Sequence, residues 1–279
     1  MQSATQARIP GVSSGFPQNS RSAGRRGKHM NILEHATVLI VDDEPDLCDM
    51  LAFEFRLQGS RVLAANDGEA AFELVQSQRV DAVVTDIQMS HGTGVQLLDR
   101  IRARHAREPL VVFITAYDTA LSPIDAYDRG AEGYFGKPFR LKDLIQHVQR
   151  ILTEPSIRWK DPPPNLPDLS IARQYQSLQT ARDQQTIQLG RGGFALAIDG
   201  TPPAGQIEPD QPLAFNINFQ TGPLNAIEGS GTVRWLVENR NSHATCGIEF
   251  DYLDPACRNQ ILDWLATNPC RPFIPRLIG

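Results

Sequence analysis

Between residues 36 and 152 the chain alternates short apolar runs with longer stretches in which apolar residues recur every three or four positions. The runs at 38–41, 82–85, 110–114 and 134–135 have the length and continuity of strands buried on both faces, and 61–65 makes one more. The intervening stretches predict helices. Pro45 suits a first helical turn, Leu47, Leu51 and Phe55 follow at intervals of four, and Gly59 ends the element. Further helices are expected over 69–78, about 94–104 and about 124–129, and Leu141, Leu144, Ile145, Val148 and Leu152 line a last one. Five strand-then-helix units predict an α/β domain with a doubly wound five-stranded parallel sheet over 30–152.

Beyond Leu152 the pattern changes. Pro155, three consecutive prolines from Pro162 to Pro164, and Pro167 predict a semi-rigid linker over 153–169. Ile171, Tyr175 and Leu178 fall at helical spacing and suggest a short connecting helix. Strand candidates follow at 186–189, 194–198, 213–219, 231–237 and 245–250, punctuated by Gly, Pro, Asn and Asp. Asp254-Pro255 opens a closing helix with Ile261, Trp264 and Leu265 on its apolar face. The expected second domain is a small β-barrel with a terminal helix over 170–268, followed by a tail over 269–279. Residues 1–29 are polar and rich in Gly, Ser and Arg, so they are expected to be disordered, with Met30 as the physiological start. They lack the apolar centre of a secretory signal.

Composition narrows the function classes. The 279 residues suit two domains, and no apolar stretch is long enough to span a bilayer, so no membrane insertion is expected. A net charge of −5 argues against non-specific nucleic-acid binding. The segment after Lys160 contains no lysine and more acids than bases, and no DNA-binding role is expected of it. Cys48, Cys246, Cys257 and Cys270 lack the spacing of a zinc site or a disulfide framework and read as reduced thiols in a cytoplasm.

The candidate chemistry lies where apolar runs end. Asp42 and Asp43 follow the first run, Asp86 the third, Thr115 the fourth, and Lys137 the last. Open α/β sheets keep their ligands beyond the strands' carboxyl ends, so these groups should converge on one edge. Two carboxylates about 4 Å apart repel by roughly 4 kcal/mol at an effective dielectric near 20, a cost that a divalent cation reverses. Magnesium suits Asp43 and Asp86 with Asp42 alongside. A carboxylate can take a phosphoryl group as an aspartyl phosphate, with Lys137 pairing one phosphoryl oxygen and Thr115 donating to another.

These residues resemble the receiver domain of two-component response regulators over 36–152. The resemblance is carried by Val41-Asp42-Asp43-Glu44-Pro45, Asp86-Ile87-Gln88-Met89, Gly94, Thr115-Ala116 and Lys137-Pro138-Phe139, in the family's order. It implies a flavodoxin-like fold and a sensor histidine kinase as partner. It makes Asp86 the phosphoacceptor, Asp42 and Asp43 the acidic pair, and the Gln88 carbonyl a further magnesium ligand. Thr115 and Tyr134 become the switch pair and Lys137 the phosphoryl-binding lysine, before a peptide bond that is often cis in the family. Catalysis is expected only of the domain's own phosphotransfer and dephosphorylation. Gln88 and Tyr117 hold the positions that flank the attacking water, and bulky Tyr117 is expected to prolong the phosphorylated state. Ser90 replaces the family's usual proline, which is expected to loosen the loop after Asp86.

The later segment resembles a PilZ domain through 187–196, Gly231-Thr232-Val233-Arg234-Trp235 and Cys246-Gly247-Ile248-Glu249-Phe250. Many PilZ domains bind cyclic di-GMP through an arginine pair and an aspartate-serine-glycine turn. Here Gln188 stands at the aspartate position and Gly190 at the serine position, only Gly193 is kept, and the arginine pair is missing. Arg191 leaves the turn able to act as an anion nest, although a plain strand-to-strand turn with positive φ is the simpler reading. Trp235, Phe250 and Trp264 read as core. The expected function is therefore a response regulator that signals through protein contacts of a degenerate PilZ-like module to an unknown downstream partner. A homodimer through the receiver is also expected. The alternative is an effector that reads both phosphorylation and cyclic di-GMP.

Overall fold

The computed structural model describes residues 31–105, 107–116, 121–154, 157–165, 167–198, 207–238, 244–268, 270 and 272–277. Tyr117 and the segment 1–30 lie outside the described residues, so the readings made of them rest on sequence alone. The described residues divide into two compact units: one holds those of 31–158 with 270–275, the other those of 159–268.

The first unit begins with a 3-10 turn, Ile32–His35, capped by the Asn31 side chain. There follow β1 (Thr37–Val41), α1 (Pro45–Leu57), β2 (Arg61–Ala65), α2 (Gly68–Ser77), β3 (Ala82–Asp86), α3 (Gly94–Arg104), β4 (Leu110–Thr115), α4 (Pro123–Arg129), β5 (Gly133–Gly136) and α5 (Leu141–Leu152). All the ladders are parallel, in the order β2-β1-β3-β4-β5, the doubly wound arrangement expected from the pattern. β1 and β3 are buried along their whole length because helices cover both faces. Helix starts follow local chemistry: Asp67 caps α2, Thr93 and Gln96 form a reciprocal capping box on α3, and Ser122 caps α4. One side of the sheet packs Leu39, Val83 and Phe113 against Phe72, Leu97, Ile101 and Ala126 from α2, α3 and α4. Arg102 and Glu132, both almost fully buried, pair at 3.0 Å, and Glu132 also accepts the Val111 N–H at 2.9 Å.

Among its described residues the second unit has six strands: β6 (Ser170–Tyr175), β7 (Ile187–Leu189), β8 (Gly193–Ile198), β9 (Pro212–Phe219), β10 (Ala226–Glu238) and β11 (Ala244–Leu253). Two helices, α6 (Leu178–Asp183) and α7 (Pro255–Thr267), complete it. Strand order is β6-β9-β10-β11-β8-β7, with β6 parallel to β9 and the other ladders antiparallel. Phe194, Phe215 and Phe250 meet at ring separations of 5.1–5.9 Å, and Trp264 joins the same core, as expected. Trp235 is also buried, with its indole lying over Gly247 on β11.

Among the described residues no ladder joins β6 to β7, and the open sheet is consistent with the small β-barrel expected. One expectation needs correction. Ile171 and Tyr175 lie on a strand, because a spacing of four is even and places residues on one face of a strand as readily as of a helix; the helix starts only after the Ser177 cap. Described residues of the 153–169 linker make contacts of their own. Arg158 bonds back to the Thr153 and Ile151 carbonyls, while buried Trp159 packs edge-on to Phe250 at 5.4 Å in the second core. Within the tail expected over 269–279, Phe273 and Ile274 are buried in the first unit. No helix among the described residues is long and apolar enough to cross a membrane.

Candidate phosphoryl site

Strand register delivers the predicted groups to one edge. Val41 lies opposite Thr85, Asp86 opposite Ile114, and Thr115 opposite Gly136, so the strands finish level and the residues at or just beyond their ends meet. Lys137 Nζ donates to Asp86 Oδ2 at 2.6 Å and to Asp42 Oδ2 at 3.1 Å, and stands 3.5 Å from Glu44 Oε1. The Asp42 side chain is fully buried and that of Asp86 is 9% exposed. Backbone donors fix both carboxylates: the Glu44 N–H reaches Asp42 Oδ1 at 2.9 Å, and the Gln88 N–H reaches Asp86 Oδ1 at 3.0 Å. The Lys137-Pro138 bond is cis. Gly94 makes the tight loop after β3 feasible, because a Cβ there would lie 2.1 Å from the Asp86 carbonyl oxygen.

The structure adds a carboxylate to the expected acids. Carboxylate oxygens of Asp42, Glu44 and Asp86 lie within 4.8 Å of one another. Asp43 accepts the Ser90 N–H at 2.7 Å, and this bond holds its carboxyl below the ordinary carboxylate range. Ser90 thus supplies a tether that a proline at this position, having no N–H, could not offer. Glu44 was legible only as the third acid of the run Asp42-Asp43-Glu44, at the start of α1. Gln88 enters through its N–H to the Asp86 carboxylate.

Electrostatics show what the cluster lacks. Burial raises the Asp42 carboxyl above its ordinary value, against the opposing pull of the Glu44 N–H and Lys137. Burial acts to depress Lys137, but its bonds to Asp86 and Asp42 hold it above the usual lysine value. Three acids facing one ammonium leave an excess of negative charge. Hard oxygen donors with such an excess can hold a divalent cation of the magnesium class, which would relieve the strain on Asp42.

The switch candidates sit on adjacent strands. Thr115 is fully buried at the end of β4, its hydroxyl donating to the Ala116 carbonyl at 3.3 Å. Tyr134 on β5 is half-buried against the α3/α4-side core, and its hydroxyl donates to the Leu121 carbonyl at 3.1 Å, just before α4.

The turn singled out in the second unit is occupied by internal contacts. Gln188 Oε1 accepts from Arg182 Nε at 3.2 Å, and the Gly190 N–H donates to the Gly193 carbonyl at 2.8 Å. None of Gly190, Gly192 and Gly193 has a positive φ, contrary to the turn expected. Gly193 is needed for close approach instead, since a Cβ there would lie 2.0 Å from the Ile248 oxygen. Arg191 is half-buried beside it.

Comparison with known proteins bears on the first unit. Residues 38–149 match the family model described as the response regulator receiver domain. The chain is 30% identical over 125 residues to the probable transcriptional regulatory protein TcrX of Mycobacterium tuberculosis, covering 45% of this chain and about half (53%) of that one. It is 31% identical over 161 residues to the response regulator MprA of Mycobacterium leprae, covering 57% of this chain and 69% of that protein. Among solved structures, the receiver domain of the Francisella response regulator 1452 aligns at 28% identity, covering 42% of this chain and 95% of that one, with a TM-score of 0.39.

Proposed function

Because the chain belongs to the response regulators, with their receiver domain at 38–149, we propose that it is a phosphorylation-controlled switch whose acceptor is Asp86 and whose donor is a sensor histidine kinase. The observation that carries this reading is the Lys137 ammonium seated between Asp86 and Asp42 at 2.6 and 3.1 Å. An Asp86 oxygen attacks phosphorus on the donor's phosphohistidine, a P–O bond forms, the P–N bond breaks, and the departing imidazole keeps the electron pair and takes a proton. Lys137 already stands where charge gathers on the phosphoryl oxygens, and preorganised charge of this kind carries most of phosphoryl transfer. A magnesium ion held by Asp42, Glu44 and Asp86 would supply further neutralisation. Thr115 lies at the neighbouring strand end to donate to a phosphoryl oxygen, and Tyr134 follows it, giving a two-state element on β4 and β5.

The second unit is the output module, PilZ-like in sequence and acting through protein contacts. Its support is that Gln188 accepts from Arg182, Gly190 bonds Gly193, and Gly193 packs against the Ile248 carbonyl. It is not an enzyme on this reading. Burial pushes the Cys246 thiol up to about 12 and the Cys257 thiol up to about 11, which keeps both as protonated core residues.

Incubating the chain with phosphoramidate and magnesium, then weighing the intact protein, tests the first part. One phosphoryl group is expected on wild type and none on Asp86→Asn; equal incorporation by the variant would overturn the assignment. Calorimetric titration of the full chain with cyclic di-GMP tests the second. No heat of binding is expected, and micromolar affinity would overturn the protein-contact reading.

A further inference from the structure

Phe273 and Ile274 are buried in the first unit, over a hundred positions along the sequence from what Phe273 touches. The Phe273 ring stacks on Tyr127 of α4 at 6.4 Å and 27°, and meets His147 of α5 edge-on at 6.2 Å. His147 is edge-on to Phe135 of β5 at 5.3 Å, and its Nε2 lies 2.8 Å from the Glu132 carbonyl. Ala126 of α4 belongs to the core on the α2/α3 side of the sheet, which includes no residue of α5. A ring that reaches both α4 and α5 therefore sits at the outer edge of β5, whose only ladder partner among the described residues is β4. Exposed strand edges invite pairing with another chain, and proteins commonly cover them.

We propose that the segment 273–275 is a built-in occupant of the receiver's β5 edge and that Tyr134 sets how firmly it is held. The Tyr134 hydroxyl bonds the Leu121 carbonyl at the entry to α4, the Ser122 side chain caps that helix, and Tyr127 on the same helix is half of the Phe273 seat. Inward movement of Tyr134 breaks the bond to Leu121, frees α4 to shift, and changes the gap between Tyr127 and His147 into which Phe273 fits. The docked segment also shields the edge from a second receiver. The dependence on phosphorylation rests on the function proposed above; the docking itself does not.

Cys270 supplies a reporter. It is half-buried at the head of the segment, whereas Cys48, Cys246 and Cys257 are buried with thiols raised by desolvation. The rate of Cys270 alkylation by iodoacetamide, read by peptide mass spectrometry on the full chain, measures how often the segment lifts. Phe273→Ala should label about tenfold faster, the factor given by losing most of one aromatic burial, while Phe273→Leu should stay near the wild-type rate. Equal rates for Phe273→Ala and wild type would overturn the docking. Tyr134→Phe should label about threefold faster without any phosphoryl group, a modest effect in keeping with one lost hydrogen bond. Magnesium with beryllofluoride should accelerate wild type similarly. An unchanged rate in Tyr134→Phe would overturn the control by Tyr134. Failure of beryllofluoride alone, with both variants behaving as expected, would overturn its link to phosphorylation, and phosphoryl incorporation at Asp86 shows separately whether the acceptor reading still stands.

Discussion

Both units bring acids and bases together, the receiver at strand ends and the second unit along paired strands, but they balance them differently. In the second unit Arg234 donates to buried Glu249 at 2.7 Å and to Asp210 at 2.9 Å, both bonds within a local stretch of β10, β11 and the loop before β9. Arg182 is likewise engaged by Gln188. In the receiver, Asp42, Glu44 and Asp86 face the single ammonium of Lys137, and Asp42 is raised by its burial. Arg234 thus answers one buried acid, since Asp210 is 81% exposed and screened by water, whereas Lys137 faces two buried acids and an exposed third. The number of buried acids set against a cation separates the two regions better than the mere presence of polar residues.

The sharpest way to break this comparison is to remove the one cation. Lys137→Ala should slow phosphoryl incorporation from phosphoramidate by about a hundredfold, the usual consequence of losing one preorganised donor at a charge-developing centre. Initial rates from intact mass measure it, and a wild-type rate would show that the ammonium is structural. In the second unit the corresponding residues should matter for folding alone. Gly193→Ala forces a Cβ to 2.0 Å from the Ile248 oxygen and should destabilise that unit by about 2–3 kcal/mol, while leaving incorporation at Asp86 intact. Urea unfolding followed by tryptophan fluorescence reads it, since Trp159, Trp235 and Trp264 all lie in the second unit. Gln188→Ala should cost less, about 1 kcal/mol, for a single half-exposed hydrogen bond.

The receiver was largely legible in the sequence because each of its signals is local and repeats at other levels. The helix Gly94–Arg104 falls where its period and the Thr93 cap both place it, and the site residues follow from where apolar runs end. What escaped depends on contacts between distant residues. The Ser90 N–H bonds Asp43 and the Glu44 carboxylate approaches Asp86, each across more than forty positions of sequence. β6 was hidden because Ile171 and Tyr175 satisfy two periods at once, and only pairing with β9 decides between them. Trp159 and Phe273 sat in stretches whose composition spoke for linker and tail, and composition is silent about what one aromatic ring finds to pack against.

The smallest effect tests whether an unanswered acid in the second unit is only a structural burden. Burial raises the Glu228 carboxyl above its ordinary value, and nearby Asp254 raises it further. The folded state therefore holds the Glu228 proton more tightly than the unfolded chain does. Its contribution to stability is fully present below the ordinary glutamate value and is lost as pH rises through the raised folded value. At neutral pH Glu228→Gln should then be more stable than wild type by about 0.5 kcal/mol, a figure kept small because the group is half-exposed and screened. The gain should vanish as pH falls below about 4.3, where both proteins carry a neutral side chain. Urea midpoints across that range read the difference. A gain that persists in acid would mean that packing rather than charge sets it, and a loss at neutral pH would mean that the carboxylate has a cationic partner, which would bring this cluster closer to the receiver's than the comparison allows.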